Sequence, residues 1–286
     1  MPAKIVVAQH AALREDIGDL MTRRPLPGAR LEQIDPFLFL NHHGPQTYAP
    51  ENGGLPFGPH PHRGFETVTF ILEGELAHRD SAGHDSVILA GGVQWMTAGS
   101  GLVHSELSPD SFLRVGGRLE ILQLWLNLPA RLKMSTPRYQ GVQRAEIPAL
   151  VSDRGRSIVN LIAGAWGGRS GPIASLTGAF MTTIELKADG RAGFGSLGGR
   201  SVFLYLVRGA VSVNGVAVAE PRLVELDLAG DTVEIVAQTD SILLFGHAEP
   251  IGESVVAHGP FVMNTREEIL QAIGDYQAGL FEAANL

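Results

Sequence analysis

The chain has 286 residues, 44% of them apolar and 18% charged, with a formal net charge of −8, which is the composition of a well-packed globular protein long enough for two domains. The acidic balance and the lack of any basic stripe denser than Arg23-Arg24 exclude nucleic acid as the main ligand. With no cysteine anywhere, disulfides, thiolate nucleophiles, thiolate zinc sites and iron–sulfur clusters are excluded together.

Nothing at the N-terminus (Met1-Pro2-Ala3-Lys4-Ile5-Val6-Val7) has the apolar core and cleavage site of a signal peptide. No apolar run approaches the roughly 20 residues that span a bilayer. A cytoplasmic protein without a membrane partner is the expectation. In chain order, residues 67–72 (TVTFIL), 119–127 (LEILQLWLN), 181–186 (MTTIEL), 202–207 (VFLYLV) and 241–245 (SILLF) are short β-branched and aromatic runs. Glycine (35) and proline (17) punctuate them, a pattern of all-β barrels or sandwiches rather than alternating β and α units. One helix is predicted at the C-terminus. Thr265-Arg266-Glu267-Glu268 has the form of a capping box, and Ile269, Ile273 and Tyr276 follow at helical spacing.

An internal repeat is visible. Residues 70–75 (FILEGE) resemble 205–210 (YLVRGA) at an offset of 135, and 89–92 (LAGG) resemble 228–231 (LAGD) at an offset of 139. Two duplicated barrels are expected, with the boundary in the proline-containing stretch 129–148: residues 1–130 as one domain, residues 131–286 with the helix as the other.

The first half carries the chemistry. In Gly58-Pro59-His60-Pro61-His62, the two histidines are two apart, and an extended chain turns residues i and i+2 to the same face. Further on, Leu102-Val103-His104-Ser105-Glu106 reads as a strand that again presents a pair, His104 and Glu106, on one face. Two such pairs on neighbouring strands converge on one point. Three imidazoles and a carboxylate, with positions left for water or substrate, describe a catalytic metal site. His42 and His43 are adjacent, so a strand turns them to opposite faces and they are left out. His78, His84, His247 and His258 each stand alone and read as ordinary packing. Shifted by the two repeat offsets, His60, His62, His104 and Glu106 fall on Gly195, Leu197, Leu243 and Phe245, so the second barrel is expected to lack metal ligands.

At these residues the chain resembles the pirin family, a branch of the cupin superfamily. The likeness runs through Asp35-Pro36-Phe37-Leu38-Phe39-Leu40, His60-Pro61-His62-Arg63-Gly64-Phe65-Glu66-Thr67-Val68, Gln94-Trp95-Met96-Thr97-Ala98-Gly99-Ser100-Gly101, His104-Ser105-Glu106 and His258-Gly259-Pro260-Phe261-Val262-Met263-Asn264-Thr265. It implies two tandem jelly-roll-like cupin barrels. It also implies one divalent metal per chain, Fe(II) first, with Mn, Ni, Co, Cu or Zn as alternatives, held by His60, His62, His104 and Glu106. General cupins place a glutamate ligand where Thr67 stands here. Glu66, one residue earlier, turns to the other face of a regular strand and is expected to orient Arg63 or an imidazole instead. Asn41 stands where many pirins have an aspartate.

The resemblance implies an oxygenase of the quercetin 2,3-dioxygenase type that cleaves flavonol-like substrates with O2. Glu106 is then the catalytic base, and Phe39, Phe57, Phe70 and Trp95 line the pocket. The alternative it implies is a non-enzymatic, metal-dependent redox regulator that binds a transcription factor or a metabolic enzyme. A cupin that keeps metal without activity is a third reading. The partners expected are therefore a small aromatic substrate or a protein.

Overall fold

The computed structural model describes residues 1–219 and 221–281, and within them the chain forms two compact units, each a barrel of two facing antiparallel sheets. The first barrel has a seven-stranded sheet. Its first six strands in spatial order are Arg138–Val142, Val93–Thr97, Phe65–Glu73, Gly117–Asn127, Phe37–Tyr48 and Thr22–Leu26. Facing it is a four-stranded sheet ordered Phe57–His62, Leu102–Leu107, Glu75–Asp80 and Asp85–Leu89.

The second barrel repeats this plan. Its seven strands run Val6–Ala11, Arg222–Leu226, Ser201–Arg208, Ser241–Ala248, Phe180–Leu186, Ser157–Ala163 and Ala149–Ser152. Its four are Arg191–Phe194, Val233–Ala237, Ala210–Val213 and Val216–Ala219. Even the irregularities match. The ladder slips between Glu120 and Ile121 in the first barrel and between Leu206 and Arg208 in the second, at corresponding positions of paired strands.

The duplication read from the sequence is therefore present in the strand order, but with shifted equivalences. Leu102–Leu107 corresponds to Val233–Ala237. Leu243 and Phe245, expected opposite His104 and Glu106, correspond instead to Ile121 and Gln123. A single offset fails because hairpins between matching strands differ in length.

The units also differ from a single boundary at 130/131. Residues 251–281 belong to the first barrel's unit, whereas residues 1–13 and 25–36 belong to the second's; of the expected second domain, residues 282–286 and 220 lie outside the described residues. The strand Val6–Ala11 pairs with Arg222–Leu226, so hydrogen bonding overrides order along the chain. The C-terminal helix Arg266–Gln277 starts at the capping box seen in the sequence. Thr265 accepts from the Glu268 amide, and the Glu268 carboxylate accepts from the Thr265 amide. Its buried face, Ile269 and Ala272, packs with Val103, Phe261, Met263 and Phe281. Two shorter helices, Asp110–Val115 and Ala130–Lys133, were not anticipated. Among the described residues no helix is long and apolar enough to cross a membrane.

Candidate metal centre

The strand Phe57–His62 lies at the edge of the four-stranded sheet. Its composition explains why: Pro59 and Pro61 have no N–H to give to a second neighbour, so the strand can be paired on one side only. It pairs with Leu102–Leu107, placing His104 directly opposite His60. The ring centroids of His60 and His104 lie 4.4 Å apart, those of His60 and His62 4.8 Å, and those of His62 and His104 5.0 Å. One nitrogen from each of the three can be chosen so that all lie within 4.8 Å of one another.

The hydrogen bonds prepare these rings for a metal. His60 Nδ1 donates to the Gly58 carbonyl at 2.8 Å and His62 Nδ1 to the Pro260 carbonyl at 3.2 Å. Each bond fixes a tautomer whose Nε2 keeps its lone pair. His104 is buried, and neither of its ring nitrogens has a hydrogen-bond partner. An imidazole left so in a protein interior would be costly without a ligand. Burial holds His62 down at about 3 and His104 well below the usual imidazole value, so both are neutral. The donor set thus fits a first-row divalent cation.

Glu106 is buried on the same strand but outside the group of close nitrogens. Its Oε1 accepts from Thr69 Oγ1 at 2.9 Å and from Gln94 Nε2, and its Oε2 accepts from Gln123 Nε2 at 2.5 Å. The ladder to Phe57–His62 slips by one residue between His104 and Glu106, so Glu106 lies opposite Phe57 rather than Gly58. Sequence reasoning missed this amide and hydroxyl cage, although the signal was there. Thr69, Gln94 and Gln123 are polar residues in the middle of apolar strands, where an unpaired polar group is expensive.

Of the four aromatic residues expected in a pocket, two are misplaced. Phe70 and Trp95 follow Thr69 and Gln94 directly, so strand alternation turns them to the opposite face of the seven-stranded sheet, where both are buried. Phe39 lies on the inner face, stacked on Trp125 with centroids 4.7 Å apart, and Trp125 meets His62 edge-on at 5.4 Å. Phe57 packs against the barrel core and His43, at 5.2 Å. Trp125 was not singled out in the sequence.

Four further histidines of the first barrel have partners. His42 bonds Glu120 at 2.9 Å in a buried pair, and His43 bonds Thr22 at 2.9 Å, on opposite faces as expected. His78 is not isolated. Its Nε2 bonds Asp80 at 3.0 Å, Asp80 also bonds His84, and the His78 ring lies 5.4 Å from that of His104. Nor does Glu66 orient Arg63. It accepts from Thr97 at 2.6 Å on the outer face, and burial raises its carboxyl to about 7. Arg63 instead bonds the Ser100 carbonyl and Asp275 of the C-terminal helix, at 2.8 and 2.7 Å. The adjoining Gly64 has a φ of +89°, and a Cβ there would collide with the Val262 carbonyl, so glycine is required where the C-terminal segment closes over the histidine strand.

The chain resembles known proteins along most of its length. The family model "Pirin" matches residues 19–126, and the model "Pirin C-terminal cupin domain" matches residues 181–282. A pirin-like protein of Caulobacter vibrioides is 41% identical over 260 residues, covering 90% of this chain and 91% of that protein. The crystal structure of a quercetin 2,3-dioxygenase from Acinetobacter baumannii superposes with a TM-score of 0.93 at 32% identity, covering 98% of this chain and 99% of the other. The bacterial pirin YhhW of Escherichia coli, solved in complex with nickel(II), gives a TM-score of 0.67 at 25% identity, covering 85% and 99%.

Proposed function

The chain belongs to the pirin family, and from that membership and its three-imidazole site we propose that it is a metal-dependent oxygenase of the quercetin 2,3-dioxygenase type. His104 carries the reading: a buried imidazole with both nitrogens unbonded, beside two imidazoles whose Nδ1 atoms are already committed. His60, His62 and His104 would hold one divalent ion per chain, Fe(II) in this reading, with Glu106 as the carboxylate beside it. The same donors accept Mn, Ni, Co, Cu or Zn.

A bound ion supplies Lewis acidity toward a substrate oxygen and open positions beside it. The chain's own residues do the rest. Glu106 is the base for the substrate hydroxyl, which replaces the Gln123 amide and leaves its proton on Oε2 while Thr69 and Gln94 keep Oε1 in place. Phe39 and Trp125 form a flat wall beside His62 that orients a planar ring system and keeps water from it. Iron-loaded protein should consume O2 with quercetin in an oxygen-electrode assay, and Glu106→Gln should slow turnover by ~100-fold. Tight quercetin binding with no O2 uptake sinks the reading.

One observation favours a second reading, a metal-dependent regulator with a protein partner such as a transcription factor or metabolic enzyme. His62 bonds the carbonyl of Pro260, in the segment that leads to the helix Arg266–Gln277, on which Leu270 is 68% exposed. A change of charge at the site would reach that face through few bonds. Capture of the same partners by wild type and by His62→Ala would refute control by the metal.

A further inference from the structure

Half-exposed residues show where the first barrel's site opens. His60, Gln123, Trp125, Phe39 and Arg24 are all partly accessible, while their neighbours along each strand are mostly buried. The Arg24 guanidinium lies 4.9 Å from the Phe39 ring centroid, Phe39 stacks on Trp125 at 4.7 Å, and Trp125 meets His62 at 5.4 Å. A continuous wall of aromatic faces therefore runs from an imidazole of the metal centre to a fixed positive charge. Along it, Trp125 Nε1 and the Thr67 hydroxyl, opposite each other in the ladder, are buried without hydrogen-bond partners. Both can donate to an acceptor on a bound molecule.

Arg24 is positioned by a buried neutral partner and ion-paired only at its exposed end. Its Nε donates to Asn41 Oδ1 at 3.1 Å, and Asn41 is a neutral amide, 3% exposed, opposite Gln123 in the sheet. Its ion pair is with Glu15 at 2.9 Å, a side chain 55% exposed. Exposed pairs of this kind contribute little, so an incoming anion displaces Glu15 at small cost. The guanidinium presents N–H groups in a planar fork suited to an oxyanion.

We propose that Arg24 is a specificity-determining residue. It anchors a negatively charged oxyanion group at the end of a planar aromatic substrate remote from the metal-binding oxygen, with the ring system lying along Phe39 and Trp125. The inference rests on the oxygenase reading for its choice of a planar substrate.

The test uses two probes, 3-hydroxyflavone carrying a 4′-carboxylate and the corresponding 4′-carboxamide, titrated into metal-loaded full-length protein by calorimetry. Wild type should bind the carboxylate ~10-fold more tightly than the carboxamide, the advantage of a charge-assisted contact over a neutral one. Arg24→Gln should bring the two affinities to within about two-fold of each other, with metal content and carboxamide affinity unchanged. Asn41→Asp should do the same while leaving Arg24 present, because it places a competing carboxylate against the guanidinium. Equal affinities in wild type, a preference that survives in both variants, or no binding of either probe overturns the proposal. O2 uptake separates the two readings: a carboxylate preference without O2 consumption sinks the oxygenase and leaves the anchor standing.

Discussion

In the first barrel the strand Phe65–Glu73 places Thr69 between Gln94 and Gln123, and the three polar groups converge on Glu106. In the second, the corresponding strand Ser201–Arg208 places Leu204 between Val224 and Phe245. The histidine strands differ in the same way. Where the first barrel turns His60, His62, His104 and Glu106 inward, the matching strands of the second carry Ala192, Phe194, Val233, Ile235 and Ala237, all within one apolar cluster. Phe39 stacked on Trp125 becomes Phe180 stacked on His247, also at 4.7 Å. The strand order tolerates either interior, because backbone ladders do not depend on which side chains face inward. The cost falls on packing. Among the described residues, a single apolar cluster fills the interior of the second barrel, whereas smaller apolar clusters flank the polar site of the first.

Breaking each interior at its centre tests the contrast. His62→Ala should empty the metal site, lowering affinity by at least ~100-fold as measured by metal analysis after dialysis. The same variant should leave unfolding of the second barrel unchanged, since that barrel has its own core. Retained stoichiometric metal would refute the assignment of His62. Phe245→Ala is the converse. It removes a fully buried ring from the second core, which should cost about 3–5 kcal/mol in denaturant unfolding with metal content preserved. If Phe245→Ala also emptied the metal site, the two interiors would not be independent.

A third contrast lies at Glu66, whose counterpart at the repeat offset of 135 is Ser201. Burial raises the Glu66 carboxyl from 4.5 to about 7. Below pH 4.5 the group is protonated folded or unfolded, and it affects nothing. Between 4.5 and about 7 the folded state retains a proton that the unfolded chain has lost, so stability falls as pH rises. Glu66→Gln should remove that slope and stabilise the protein at pH 8 by about 3 kcal/mol. A wild-type unfolding midpoint that rose steadily from pH 5 to 7 while the Glu66→Gln midpoint rose in parallel would refute the assignment.

The sequence carried the barrels and the histidines further than the rest of the site. Alternation in short strands gave the all-β class, and two i, i+2 pairs placed His60, His62 and His104 on one face. What alternation does not contain is register. Glu106 lies opposite Phe57 only because the ladder slips by one residue, and Gln94 and Gln123 reach it from two strands of the facing sheet. Phe70 and Trp95 were misplaced because an aromatic residue in a strand has two faces to choose from, and only their bonded neighbours Thr69 and Gln94 reveal which one is inward. The sequence offers no sign that the C-terminal segment, which follows the second barrel in chain order, bonds to His62, Arg63 and Lys133.

That segment supplies the smallest expected effect and the finest test of the comparison, since its helix belongs to the first barrel's unit. Thr265 caps the helix by accepting from the Glu268 amide at 3.2 Å, and Glu268 returns the bond to the Thr265 amide at 2.9 Å. Thr265→Ala removes one half of the box and should cost about 1 kcal/mol. The loss should appear as faster hydrogen exchange in residues 266–277, and in Val103 and Phe261, against which the helix packs. Amides of the strand Ser241–Ala248, in the core of the second barrel, should keep their protection. Equal acceleration there would mean that the helix stabilises the whole chain rather than the barrel that holds the histidines.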